Sequence, residues 1–146
     1  MIKIYTDAAY RMSTGEGGLG LIIEGPSRLS LKFYVLGVKD NHQVEFMALE
    51  LALKRLFDDK ISDDILTIYS DSKILVDSIE KKFVKDPDYK YHLENILDFF
   101  KDYSHVFVNW IPDRSNKGAD HLARQALNKQ GKFETIYAPK IDNNRL

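Results

Sequence analysis

The chain has no cysteine, which excludes disulfide frameworks, cysteine-based zinc sites and thiol chemistry. Charge of one sign is also lacking: 21 basic and 22 acidic side chains leave a net of −1. That balance excludes nucleic-acid binding through a basic tail but leaves room for a local positive patch. No apolar run approaches the length of a membrane span, and the N-terminus enters a strand pattern with no leader motif. With 146 residues, 44% of them hydrophobic, one compact soluble domain in the cytoplasm is the expectation.

What is present is a phrase used twice, Ile4-Tyr5-Thr6-Asp7 and Ile68-Tyr69-Ser70-Asp71. Each closes a β-branched and aromatic run, Ile2 to Asp7 and Ile65 to Asp71, and so reads as the end of a strand. If the two strands are parallel neighbours in register, both aspartates meet at one sheet edge, roughly 5 Å apart. Two such charges repel by about 3 kcal/mol at an effective dielectric of about 20. A shared proton or a bridging cation relieves that repulsion, which points to a divalent-metal site.

The rest of the chain sorts by period. A polar loop through Gly15, Gly17 and Gly18 leads to a second strand from about Leu19 to Glu24. After the turn at Gly25-Pro26-Ser27, the alternation of Leu29, Leu31, Phe33 and Val35 predicts a third strand. Val44, Met47, Ala48, Leu51, Ala52 and Leu56 then predict an amphipathic helix of about 16 residues, with Asp40 and Gln43 spaced for a capping box. A second helix follows Asp71, with Leu75, Val76, Ile79 and Phe83 inward, and stops before Pro87. Tyr91 to Tyr103 reads as a third helix and Val106 to Trp110 as a fifth strand. Asn116 to Gln130 reads as a last helix, stopped by Gly131. The order is βββ-α-β-α-α-β-α, a mixed sheet flanked by helices. Phe133 to Leu146 shows no clear period and reads as a tail or strap. Phe33, Phe99, Phe100 and Phe107 are expected in the core, with Trp110 covering its edge. Tyr10, Arg11 and Met12 are expected in a mobile loop.

Two further acids stand at element starts: Glu45 early in the first helix and Asp120 in the first turn of the last. Asp120 alone is explained by the helix dipole, and Glu45 alone by a solvated helix face. Four acids at element termini form an oxygen-rich set of the kind magnesium takes. Two such ions about 3.5–4 Å apart stabilise the attacking and departing oxygens of a phosphoryl displacement.

Tyr5-Thr6-Asp7-Ala8-Ala9, Asn41-His42-Gln43-Val44-Glu45-Phe46-Met47-Ala48-Leu49, Tyr69-Ser70-Asp71-Ser72, Trp110-Ile111-Pro112 and Asn116-Lys117-Gly118-Ala119-Asp120-His121-Leu122-Ala123 occur in that order. Together these blocks, covering about residues 1 to 130, resemble the ribonuclease H family, type 1. The resemblance implies an α/β fold with a five-stranded mixed sheet, three antiparallel strands then two parallel, flanked by about four helices. It implies a catalytic domain over residues 1–131, with 132–146 as a C-terminal tail or strap, and a monomer. It implies a catalytic and metal-binding set of Asp7, Glu45, Asp71 and Asp120 holding two Mg2+, with Mn2+ as substitute. The implied reaction is endonucleolytic hydrolysis of the RNA strand of an RNA–DNA hybrid, leaving a 5′-phosphate and a 3′-hydroxyl. Ribose 2′-hydroxyls distinguish RNA from DNA, and the resemblance sets Ala8, Ala9, Asn41 and Glu45 against them. Further substrate-binding positions implied are His42, Gln43, Ser72, Lys73 and Asn116.

The chain also departs from the family. Many members carry a histidine in the loop before the last aspartate, whereas Asp113 to Ala119 contain none; Arg114 is the nearest charged candidate to assist product departure or metal exchange. His121 adjoins Asp120, but one helical step turns it about 100° away. Asp40 stands where members often have a threonine near a DNA phosphate. The Lys- and Trp-rich protrusion of strong binders is replaced by the short segment Phe83 to Tyr91. Ile111 to Lys132 carries a net charge of +3 and is the remaining phosphate-facing candidate. Two other readings stand beside the hybrid nuclease: a nuclease of the same fold acting on another nucleic acid, and a noncatalytic hybrid-binding adapter.

Overall fold

The computed structural model describes residues 1–141. Strands β1 (Ile2–Arg11), β2 (Glu16–Glu24) and β3 (Arg28–Leu36) form the expected antiparallel meander. Then come α1 (Asn41–Asp58), β4 (Ile65–Ser70), α2 (Lys73–Lys81), α3 (Pro87–Phe100), β5 (His105–Trp110), a single 3₁₀ turn (Asp113–Ser115), α4 (Lys117–Leu127) and β6 (Glu134–Tyr137). The sheet order is β5-β4-β1-β2-β3-β6, with β4 parallel to both β1 and β5.

The sheet has six strands rather than five. Part of the expected tail pairs in parallel with β3, Phe33 beside Glu134 and Leu36 beside Tyr137. Four residues with one half-buried position are too short to show a period in sequence. Residues 142–146 of the expected tail lie outside the described residues.

Alternation puts the two sides of β2 to different uses. Gly17, Leu19, Leu21 and Ile23 face α1, where a Cβ on Gly17 would meet Val44 at 2.9 Å. Gly18 and Gly20 face α4, and a Cβ on either would come within 2.2–2.3 Å of the carbonyl oxygens of Ala123 and Ala119. Of the glycines that read as loop, Gly15 does lie in the turn, whereas Gly17 and Gly18 are strand residues, small because the Val44 side chain lies on the first and the α4 backbone on the second. Ile4, Leu19, Leu21, Phe46, Leu49, Leu53, Leu66, Ile68 and Leu75 are buried between the sheet and the α1 side, each contributing about 1.5–3 kcal/mol.

Helix α1 starts as its sequence dictates: the Asp40 carboxylate accepts from the Gln43 amide at 2.9 Å, and Gln43 Oε1 accepts from the Lys39 amide at 3.0 Å. The Tyr89 hydroxyl donates to Asp40 from α3, so this start is also held from the side. Asp40, placed by the sequence where a phosphate contact was in question, is thus engaged within the protein. Helix α2 is capped by Ser72 and ends at Lys82, which takes the left-handed conformation. Helix α3 begins at Pro87 rather than Tyr91, because proline suits the first helical position behind the Asp86 cap. It ends at Phe100, short of Tyr103. Two aromatic assignments are corrected: Phe83 lies beyond the end of α2 and is 62% exposed, and Phe107 points off the edge strand at 54%. β1 runs on through Tyr10 and Arg11, which are tied to Lys39 O and Asn128 Oδ1, so only Met12 of that trio is fully out in solvent.

Candidate active site

β1 and β4 pair in register as far as Thr6 beside Ser70, so Asp7 and Asp71 are the next residues along. The two carboxyl groups lie close enough for each to act on the other's protonation. Asp7 is buried, and burial together with the Asp71 charge pushes its pKa up to about 8, against a partial offset from the Ala8 amide donating at 2.8 Å. Burial and contact with Asp113 push Asp71 up to about 6. Glu45 reaches the same place from α1: its charge acts on Asp71, and burial raises its pKa. The Ser72 hydroxyl and His42 counter that rise, and Asn41 Nδ2 donates to Glu45 Oε1 at 3.0 Å. Asp120, in the first turn of α4, adds its charge to the environment of Asp7.

The four acids thus converge from β1, α1, β4 and α4 on one sheet edge. Asp120 Oδ1 accepts from Arg124 Nε at 3.0 Å, one turn along α4. Among the described residues no three Asp, Glu or His side chains are gathered as a ready-made metal cage. The donor set itself fits a hard divalent cation, since carboxylate oxygens are what magnesium and manganese take. A cation would also offset the cause of the raised Asp7 and Asp71 values, a buried and a half-buried acid close together.

Of the other expected site residues, Ala8 and Ala9 continue β1 beside Asp7 and are half-buried. His42 is exposed, with Nδ1 3.4 Å from Glu45 Oε2. Lys73 lies at the start of α2, its Nζ 5.1 Å from the Trp110 ring centre. Ser72, Gln43 and Asn116 are buried. Gln43 is engaged with Lys39 and faces His92, so it braces the start of α1 rather than meeting substrate. Asn116 Nδ2 donates to Thr6 O at 2.8 Å, fastening the foot of α4 to the strand that carries Asp7. Arg114 is exposed on the 3₁₀ turn. The residue of that turn whose charge acts on Asp71 is Asp113, which the sequence reading counted only as charge.

The roomiest groove described, about 710 Å³ between α2, α3 and β5, lies away from the acids, among Ile79, Leu97, Phe100, Val106 and Val108.

The RNase H family pattern matches residues 1–128. The chain belongs to the ribonuclease H family. This ribonuclease H is 38% identical over 130 residues to EbsB of Enterococcus faecalis, a protein provisionally named a hydrolase; the match covers 88% of this chain and 96% of that one. Among solved structures it resembles LC11-RNase H1 in complex with an RNA/DNA hybrid, at 29% identity and a TM-score of 0.77, covering 88% of this chain and 98% of that one. RNase H1 of Halobacterium salinarum shares the fold at 22% identity and a TM-score of 0.76, with the same coverage. Family membership makes the protein a nuclease of the ribonuclease H kind. No helix among its described residues is long and apolar enough to cross a membrane.

Proposed function

We propose that the protein hydrolyses the RNA strand of RNA–DNA hybrids endonucleolytically, leaving 5′-phosphate and 3′-hydroxyl ends, with residues 1–131 as the catalytic unit. The observation that carries this reading is the contact of Asp7 with Asp71, reached by Glu45 and in the field of Asp120. Two Mg2+ held by these four carboxylates, with Mn2+ as a substitute, would activate water and stabilise charge on the departing oxygen. The chain's own residues do the rest. Asn41 and Glu45 meet ribose 2′-hydroxyls, joined by the backbone at Ala8 and Ala9, so sugar rather than base sequence is read. His42 and Lys73, both exposed near the acids, face the duplex. Ser72 and Asn116 hold Glu45 and Thr6 in place from within.

A 2′-hydroxyl reader has no use on DNA, so Asn41 beside Glu45 disfavours a DNA nuclease. The test presents labelled RNA–DNA hybrid, RNA duplex, DNA duplex and single-stranded RNA, each with magnesium or manganese. Asp71→Asn serves as control. Cleavage of hybrid alone, lost in the control, supports the proposal. Hybrid binding without cleavage supports an adapter, and cleavage of DNA duplex supports a change of substrate.

A further inference from the structure

We infer that His92 is a positioning residue for the cleavage reaction: through Gln43 it fixes the first turn of α1, which presents Asn41 and Glu45. This rests on the ribonuclease H reading of the site.

His92 stands on α3 and is fully buried against the start of α1. A buried imidazole needs a partner for each ring nitrogen. Nδ1 lies 2.8 Å from Glu50 Oε1, and Nε2 lies 3.5 Å from Gln43 Nε2. These partners decide where the ring proton sits. Gln43 Oε1 already accepts from the Lys39 amide at 3.0 Å, so the Gln43 amide nitrogen faces the ring, and an amide nitrogen only donates. His92 Nε2 therefore accepts, and the proton is on Nδ1, which donates it to Glu50. Asn95, one turn along α3, donates to the other Glu50 oxygen. From the Lys39 amide through Gln43 and His92 to Glu50, every group in the run has its direction set by the next.

What this run holds is the inner side of a turn whose outer side meets the substrate. Gln43 lies two residues from both Asn41 and Glu45, about 200° round the helix from each. Asn41 and Glu45 share the opposite face, with Asn41 Nδ2 3.0 Å from Glu45 Oε1. Three residues before His92, on the same side of α3, the Tyr89 hydroxyl donates to Asp40. Helix α3 thus grips both halves of the α1 start, Asp40 through Tyr89 and Gln43 through His92. Apolar side chains would pack the two helices together as firmly; the hydrogen-bonded run adds a fixed rotation of the first turn.

The test separates the two ends of the ring by side-chain length. His92→Asn places an amide where Nδ1 was, so it keeps a donor for Glu50 and loses the tie to Gln43. His92→Gln places an amide where Nε2 was, so it keeps an acceptor for Gln43 and loses the bond to Glu50. His92→Asn is expected to lower kcat/KM on RNA–DNA hybrid about three- to tenfold, chiefly in kcat, and to speed hydrogen exchange at the Lys39 and Gln43 amides by a similar factor. His92→Gln is expected to stay within about twofold of the parent in both readouts. A role confined to holding Glu50 gives the reverse order, which overturns the inference, as does equal activity of the parent and both folded variants. Thermal melts show which variants are folded. Long-range proton–nitrogen NMR spectra of the parent read the ring without any variant, and a proton on Nε2 overturns the inference. A parent that cleaves no hybrid brings down the reading of the reaction itself; a cleaving parent matched by folded His92→Asn brings down the inference alone.

Discussion

Asp7 and Asp71 follow the paired residues Thr6 and Ser70 on two parallel strands, and neither acid keeps an ordinary carboxyl pKa: the first is pushed up to about 8 and the second to about 6. Both folded values lie above the unfolded value of about 4, so folding takes up protons in this pair. The pair costs nothing at pH 4 and below. It destabilises the metal-free protein progressively as the pH rises from about 4 to 8, most steeply below 6, where both acids hold protons in the folded state alone. Asp7→Asn is therefore expected to raise the melting temperature of metal-free protein at pH 8, by about 3 °C for each kcal/mol relieved, and to have little effect at pH 4. Melting curves of both proteins in chelator across that range check the sign.

Divalent metal acts on the same charges. At a hundred times its dissociation constant, Mg2+ is expected to stabilise the parent by about 2.7 kcal/mol and to flatten the loss of stability between about pH 4 and 8. Asp71→Asn is expected to show less than half of that gain. Equal metal-induced shifts in the two proteins would remove the assignment.

Asn41 is expected to matter to the reaction more than to the fold, because it is half-buried and its Nδ2 meets the Glu45 carboxylate. A hydrogen bond to a charged group contributes about 1.5–3 kcal/mol. Asn41→Ala is accordingly expected to lower kcat/KM on hybrid about tenfold or more while moving the melting temperature by less than about 3 °C. Hybrids with 2′-deoxy substitutions near the cleaved bond should reveal a smaller penalty for the variant than for the parent.

Gly18→Ala tests the seat of α4. The added methyl would lie 2.2 Å from Ala123 O, a backbone atom that cannot step aside without the helix. A loss of about 3 kcal/mol is expected, read as a lower urea midpoint, together with weaker cleavage because Asp120 rides on the displaced helix.

Tyr89→Phe removes the hydroxyl that α3 gives to the Asp40 cap. A loss of about 1 kcal/mol is expected, again as a shift in urea midpoint. The Asp40 cap itself accepts from the Gln43 amide and persists, so cleavage should fall little.

Long apolar periods and caps were the legible part of the sequence. The stripe from Val44 to Leu56 and the Asp40–Gln43 spacing located α1, and the echoed Tyr-x-Asp phrase located β1 and β4 in register. The family blocks named the four acids, but no period could have done so, because their meeting depends on where α1 and α4 cross the sheet. Illegible features were those set by a neighbour distant in sequence. Gly17 and Gly18 read as loop until α1 and α4 are laid against them. Phe83 and Phe107 read as core because hydrophobicity alone says nothing of an early left-handed stop at Lys82 or of a position on the sheet margin. Gln43 and Asn116 stood among substrate contacts by resemblance, and only burial shows that they work inward.

The short β6 has a practical consequence for anyone trimming this protein. A boundary at residue 131 follows the family pattern, yet it would strip β3 of its parallel companion and Tyr34 of the Phe133 ring, whose centroid lies 6.2 Å away. The cut piece would replace a four-residue edge strand by the nine-residue β3 at that margin, a longer template for stacking with its own kind. The smallest well-behaved nuclease should therefore reach past Tyr137, even though every acid it uses lies upstream of residue 121.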